Sequence, residues 1–339
     1  MADLQELIDI SKGYDAHKQD YVVNSADVLF DEHTAELIVP GNLFGAVPPL
    51  TMTDWALRQV CQKVGHIPAS YAKDCPAWLQ AINLNHWMHN VSKDLMIRGY
   101  DQHCRGVLSA QYAPIMNTVV LEKTAQIMED VGFYETHYLD ADTFHGKFTV
   151  ANKPGGDNKG GFGVGFYLGN GEIGNRAIRV CPYIQKNKCQ NSIVFQDWGI
   201  EIRHYRTTPA YIFGAIKETI GKSIGLAAEA VDRFVEAEMA EIPDVTTVLD
   251  GLADKYNLSL PVKDAMLFGT EGKSTLAGII NGISYAAQQI ENIEQRIDME
   301  SLAGAILADP SALKRKVKLQ EMDDFLEMDV EGTLPAGRL

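Results

Sequence analysis

Apolar and polar positions change their period along this chain, and the changes predict its elements. Around residues 21–39 β-formers flank Asn24-Ser25 and Asp31-Glu32, the pattern of a short hairpin, and Pro40-Gly41 and Pro48-Pro49 then mark a loop. Thr51 or Thr53 can cap a helix that buries Trp55, Val60, Cys61 and Val64 and stops at Gly65 and Pro68. A second helix is expected over residues 76–91, with Trp78, Leu79, Ile82 and Trp87 inward. Strands follow at 94–100 and 106–109, then an amphipathic helix over 117–131 that Gly132 ends.

The middle of the chain alternates with period two. Residues 144–150 read as a strand, and 153–175 hold nine glycines in 23 residues. Asn170-Gly171 is the clearest turn signal there. Further strands are expected at 176–184, 192–195 and 200–206. From Tyr211 the period becomes 3.6: Ile212, Ile216, Ile220, Ile224, Ala227, Val231, Phe234 and Val235 form one stripe of a helix reaching Glu241. Helices are expected at 245–256, 275–297 and 300–308, and no internal repeat is visible. The fold class is therefore α+β: an antiparallel β-sheet with a glycine-rich hairpin packed on a long helix, and a helical C-terminal part. Four parts result: an N-terminal α+β part (1–145), a basic sheet core with its long helix (146–241), a helical part (242–310) and a charged tail (311–339).

At 339 residues, with 46% hydrophobic and 22% charged, the chain can bury a core. No apolar run approaches the roughly 20 residues of a membrane helix, and residues 1–10 lack the basic start and apolar middle of a signal peptide. Five cysteines without a C-x-x-C pair point to reduced thiols in a cytoplasm.

Net charge is −15, yet its distribution is uneven. Residues 146–222 carry 11 Lys/Arg against 5 Asp/Glu, while both flanks are acidic. A phosphate feels charge within a Debye length of about 8–10 Å, so a basic middle matters more to it than the total. The same stretch holds 10 of the 29 Phe, Trp and Tyr residues. On the strand 200–206, period two puts Glu201, Arg203 and Tyr205 on one face and Ile200, Ile202, His204 and Arg206 on the other. With Ile200 and Ile202 inward, Arg203 and Tyr205 are displayed. Arg176, Arg179, Lys186 and Lys188 add cations nearby. Cations that follow a backbone, with aromatic faces for bases, are what sequence-tolerant single-strand binding requires. A packed core of aromatics under a solvated charged face would give the same composition.

Other motifs are weaker. Residues 269–275 (GTEGKST) resemble a phosphate loop, but Leu267 stands where glycine is required and no apolar strand leads in. Asp264, Glu271 and Lys273 have a nuclease-like order on a segment that reads as a loop entering a helix. His86 and His89, with His103-Cys104, could ligate a metal, although the spacing suits ordinary core or surface histidines. No nucleophile elbow occurs, and no cofactor is expected. Residues 321–331 (EMDDFLEMDVE) form an acidic tip, either a solvated tail, a docking peptide around Met322, Phe325, Leu326 and Met328, or a decoy competing with DNA.

Residues 50–71 (LTMTDWALRQVCQKVGHIPASY), 105–117 (RGVLSAQYAPIMN) and 165–174 (GFYLGNGEIG), the Cys189-Gln190-Asn191 turn and Arg203-His204 occur in this order. Together they resemble the phage/plasmid-like family labelled domain of unknown function 932, over about residues 50–290. The chain departs from that pattern at Gly171, where the family often has serine, and at Gln190-Asn191-Ser192, where it often has Thr-Asn-Gly. The resemblance implies a phage recombination protein of the Redβ and RecT type that anneals single strands. It also implies a non-enzymatic protein of the host cytoplasm that forms a homo-oligomeric ring or filament and partners a phage exonuclease or a host single-strand-binding protein. Arg176, Arg179, Lys186, Lys188, Arg203 and Arg206 would then contact phosphates, with Tyr205, Phe166 and Tyr167 as stacking platforms and the glycine-rich loop as clamp or subunit contact. A metal-dependent nuclease and a phage structural or host-interaction protein are the rival classes.

Overall fold

The computed structural model describes residues 4–41, 47–64, 67–128, 136–155, 158–187 and 191–314. The N-terminal part runs α1 (Leu4–Asp15), β1 (Lys18–Asn24), β2 (Leu29–Phe30), β3 (Leu37–Ile38), β4 (Thr51–Met52), α2 (Asp54–Val64), α3 (Ala69–Asp74), α4 (Ala77–Val91), β5 (Asp94–Tyr100), β6 (His103–Ser109) and α5 (Asn117–Ile127). Its sheet has the order β1-β5-β6-β4, with β4 parallel to β6 and the other pairs antiparallel. The expected hairpin is split. β2 and β3 pair around the Asp31 turn, whereas β1 leaves for β5 because Asn24 caps a short 3-10 turn through Ala26 N–H.

Thr53 caps α2 by accepting from Ala56 N–H at 3.2 Å, and Val60, Cys61 and Val64 go inward as expected. On α4 the expected face is wrong in part. Ala81, Leu84 and Met88 are the buried stripe, and Trp78 and Ile82 are 54% and 46% exposed. The largest apolar residues marked the helix, but it is the small Ala81 that enters the core, with Leu84, Met88 and the α2 residues Val60 and Val64.

The second sheet contains β7 (Thr136–Leu139), β8 (Thr143–Gly155), β9 (Asn158–Gly171), β10 (Ile178–Lys186), β11 (Ser192–Val194) and β12 (Ile200–Ile202), ordered β11-β10-β9-β8-β7 with β12 also on β10. All its pairs are antiparallel. Asn170-Gly171 is not the tight turn. It ends β9, and Asn170 is fully buried, donating to Asn117 Oδ1 at 2.7 Å. Instead β8 and β9 pair out to Gly155–Asn158.

Then come α6 (Pro209–Met239), α7 (Val245–Lys255), α8 (Leu260–Gly269), α9 (Leu276–Gln288) and α10 (Ile293–Ala308). Thr208 caps α6, and Ile212, Ile216 and Ile220 pack on Phe144, Phe148, Phe166, Leu168, Ile178 and Val180. Further along, Val231 and Phe234 join Phe162, Val164 and Ile184 in the core of the C-terminal helices. The helix expected over 275–297 breaks where Asn292 starts α10, its side chain accepting from Glu294 and Gln295 N–H. The result is the expected α+β class: an antiparallel sheet on a long helix, with helices in the C-terminal part.

Candidate nucleic-acid interface

Beyond β12 the chain docks on the turn that follows β6. Ala113 N–H donates to the His204 carbonyl at 2.9 Å and Arg206 N–H to Gln111 O at 3.3 Å. The His204 ring is 4% exposed and stacks on Tyr112, centroids 5.1 Å apart at 8°. Burial pushes its pKa down to about 4, so the ring is neutral at pH 7, with Nδ1 donating to Ala113 O at 3.2 Å.

This inward anchor displays its neighbours. The Arg203 side chain is 85% exposed and Tyr205 is 50% exposed. Arg206 leaves the expected alternation. Its φ of +51° is left-handed and turns the side chain out, so that the guanidinium lies 5.1 Å over the Tyr205 ring. Gln111 Oε1 fixes both, accepting from Tyr205 OH at 2.6 Å and from Arg206 Nε at 2.9 Å. Tyr211, 65% exposed, stands in the first turn of α6 just beyond. Two cations and two aromatic rings are thus exposed within residues 203–211. The nearest carboxylate to Arg203 is Glu201 at 3.9 Å, and Glu201 also bonds Arg179.

The other expected contacts lie elsewhere. Arg176 and Arg179 are 3% and 7% exposed. Arg179 Nη2 meets Glu201 at 2.6 Å and Arg176 Nη2 lies 3.7 Å from Glu294, so neither is open to a phosphate in this conformation. Lys186 is buried at the end of β10. Phe166 is fully buried and stacked on Phe148, and Tyr167 is fully buried with its hydroxyl 2.7 Å from His145 Nδ1, so neither offers a face to a base. Lys188 lies outside the described residues, as do the 321–331 tip and Cys189.

Arg176, Arg179 and Tyr167 do share a place, a polar sheet face covered by α10. Cross-strand rows run His145–Gly169–Arg179, Lys147–Tyr167–Cys181 and Thr149–Gly165–Tyr183. Period two in residues 143–149 was the available signal for His145 and Lys147. Lys147 Nζ bonds Glu300 of α10 at 2.5 Å with both groups buried. Burial, helped by Arg176, Lys147 and Arg179, pushes the His145 pKa well below its usual value.

A second buried network centres on Glu172 in the loop after β9. Its carboxylate, fully buried, accepts from Lys18 Nζ at 2.8 Å, from Arg105 at 3.2 Å and from Asn117 N–H at 2.7 Å. Arg98 lies 3.9 Å away and is held by Asp20, and Arg105 also pairs with Asp142. With both oxygens occupied, this carboxylate ties elements together and is in no position to abstract a proton.

Residues 269–275 link α8 to α9, with left-handed Glu271 and Gly272 and Thr275 as helix cap, and Asp264 sits on α8 rather than on a strand. His86 lies beside Asn90, His89 Nδ1 is 3.0 Å from Ala26 O, and burial raises the Cys104 thiol to about 12. Among the described residues no three His, Cys, Asp or Glu side chains gather to hold a metal, and no helix is long and apolar enough to cross a membrane. Comparison with protein-family models, characterised proteins and solved structures gave no match.

Proposed function

We propose that the chain binds single-stranded DNA and anneals complementary strands in phage-type recombination, without covalent chemistry. The observation that carries this is the exposed Arg203–Tyr205–Arg206 segment, one guanidinium laid over an aromatic face and a second exposed cation two residues before it, clamped by His204 inside and Gln111 outside. Annealing needs phosphates neutralised while bases stay free to pair, and an arginine laid on a tyrosine serves both ends of a nucleotide. The motifs at residues 50–290 that resemble the phage/plasmid-like family imply the same, although no family model matches the chain. On this reading the protein works in the host cytoplasm as a homo-oligomer, beside an exonuclease or a single-strand-binding protein.

The test is annealing of complementary oligonucleotides over a salt series, with Arg203→Ala/Arg206→Ala as comparison. The double variant is expected to lose most of the rate, and the wild-type rate to fall steeply with salt. Equal annealing by the variant would reject the site, and a flat salt response would reject the electrostatic mechanism. Cleavage that requires Mg²⁺ would favour a nuclease. Failure to bind any oligonucleotide at low salt would favour a structural or host-interaction role.

A further inference from the structure

β1 is the outer strand of the first sheet. β5 pairs with it on one side, and among the described residues nothing pairs with it on the other. It is seven residues long, against four for β7, three each for β11 and β12 and two for β4, the other outer strands of the two large sheets. Sheet edges are normally blunted by shortness, proline, a bulge, or charged side chains pointing outward or inward. β1 is not short and has no proline or bulge, and its two charges, Lys18 and Asp20, lie in its first three residues and are held in internal ion pairs, leaving residues 21–24 uncharged. Its register with β5 is unbroken over all seven residues, and its one lysine, Lys18, has a side chain 3% exposed because it turns into the Glu172 network. Val22, by contrast, is 65% exposed.

The flanking hydrogen bonds show which backbone groups face out. Ser25 N–H donates to Lys93 O at 2.8 Å and the His17 carbonyl accepts from Asp101 N–H at 3.0 Å. Odd-numbered residues here therefore aim at β5, and alternation leaves the N–H and C=O of Asp20, Val22 and Asn24 pointing away from it.

We propose that β1 pairs antiparallel with β1 of a second copy, about a two-fold axis at Val22. Such an axis, normal to the sheet, opposes only residues of the same face, so few registers exist. An axis at Asp20 sets two carboxylates against each other, and one at Tyr21 sets Val22 against Asp20. An axis at Val22 sets Val22 on Val22, Tyr21 on Val23 and Asp20 on Asn24. Aromatic–β-branched and apolar pairs are the favourable ones, and no like charges meet. Val22–Val22 and both Asp20–Asn24 pairs would each exchange two backbone hydrogen bonds. The contact is closed at two copies and joins two four-stranded sheets into one. It stands independently of the DNA reading.

The full-length chain carrying Val22→Cys tests it. Opposed hydrogen-bonded residues have Cα atoms about 5.5 Å apart, within disulfide range. Mild oxidation is expected to give a cross-linked dimer on a non-reducing gel, beyond any formed by the wild type with its own thiols. Asp20→Cys, off the axis, is expected to give none. In sedimentation, Val22→Asp should weaken the dimer at least tenfold while the circular dichroism spectrum is kept, and Val22→Thr should leave it intact. A wild-type chain that sediments as a monomer at tens of micromolar overturns the proposal. So does a folded Val22→Asp chain that stays dimeric, or Asp20→Cys cross-linking as fast as Val22→Cys.

Discussion

Tyr205 is the residue on which the proposed interface turns, because its ring is the one aromatic face there with a cation already laid against it. Stacking of a base on such a ring contributes about 1–3 kcal/mol. Tyr205→Ala is thus expected to weaken oligonucleotide binding about 5- to 150-fold in a fluorescence-anisotropy titration. Removing Arg203 and Arg206 together should lower the slope of log affinity against log salt by about 1.4, at about 0.7 for each single-strand phosphate contact. An unchanged slope would mean that neither arginine meets a phosphate. At this scale Arg203 and Tyr205 were legible, since alternation from Ile202 fixes their direction. Arg206 was named as a contact, but its direction was not legible, because period two assumes extended backbone and its φ is left-handed. Arg176 and Arg179 were misplaced for a different reason. Their strand positions were readable, but the helix that covers their face comes more than a hundred residues later in the chain.

Among the elements, the stripe of α6 could be read from Ile212 to Phe234 because six turns repeat it. The α9–α10 break was missed although Asn292 is a good cap, since apolar residues continue on either side and mask it. α8 was missed too, as its ten residues offer little periodicity. Lys147–Glu300 is one tie by which α10 covers the polar face, beside Arg176–Glu294 and the packing of Ile297 on Tyr167, Cys181 and Tyr183. Removing one partner of a buried pair leaves an uncompensated charge and costs about 3–5 kcal/mol. Lys147→Met should therefore lower the unfolding free energy by about that much, and Lys147→Met/Glu300→Leu should recover most of it in urea denaturation. The clamp between the 109–113 turn and the 203–206 segment depends on pH. His204 has a pKa of about 4 folded and its ordinary 6.5 unfolded, so between these values the unfolded chain binds more protons. Stability from this group is present above about pH 6.5 and is lost as pH falls towards 4, on the order of 3 kcal/mol in full. His145 acts in the same direction. His204→Asn, which keeps a donor for Ala113 O, is expected to flatten that slope between pH 7 and 4.5. An equally steep slope in the variant would assign the dependence to other groups.

For the whole molecule, the uneven charge was plain in the sequence, but what it does was not. Of the basic middle, Lys147, Arg176, Arg179 and Lys186 are buried, and Arg203 and Arg206 carry the exposed charge of the 203–206 segment. Lys18, Arg98 and Arg105, from the acidic first part, spend theirs internally on Glu172. That carboxylate reaches from the loop after β9 to β1 and β6 of the first sheet and to the first residue of α5. Sequence alone could not show this, since Glu172 lies 154 residues from Lys18 and looked like part of a turn. Glu172→Gln keeps the shape and hydrogen-bonding capacity but removes the charge that three buried cations face. A loss of about 3–5 kcal/mol is expected, as for one partner of a buried ionic cluster. Calorimetry should show it as a lower melting temperature of one shared transition, because the tie joins both sheets. If the first sheet alone melted early, Glu172 would brace that sheet without coupling the two. A loss below about 1 kcal/mol would mean that Asp20 and Asp142 already satisfy the arginines, making Glu172 redundant.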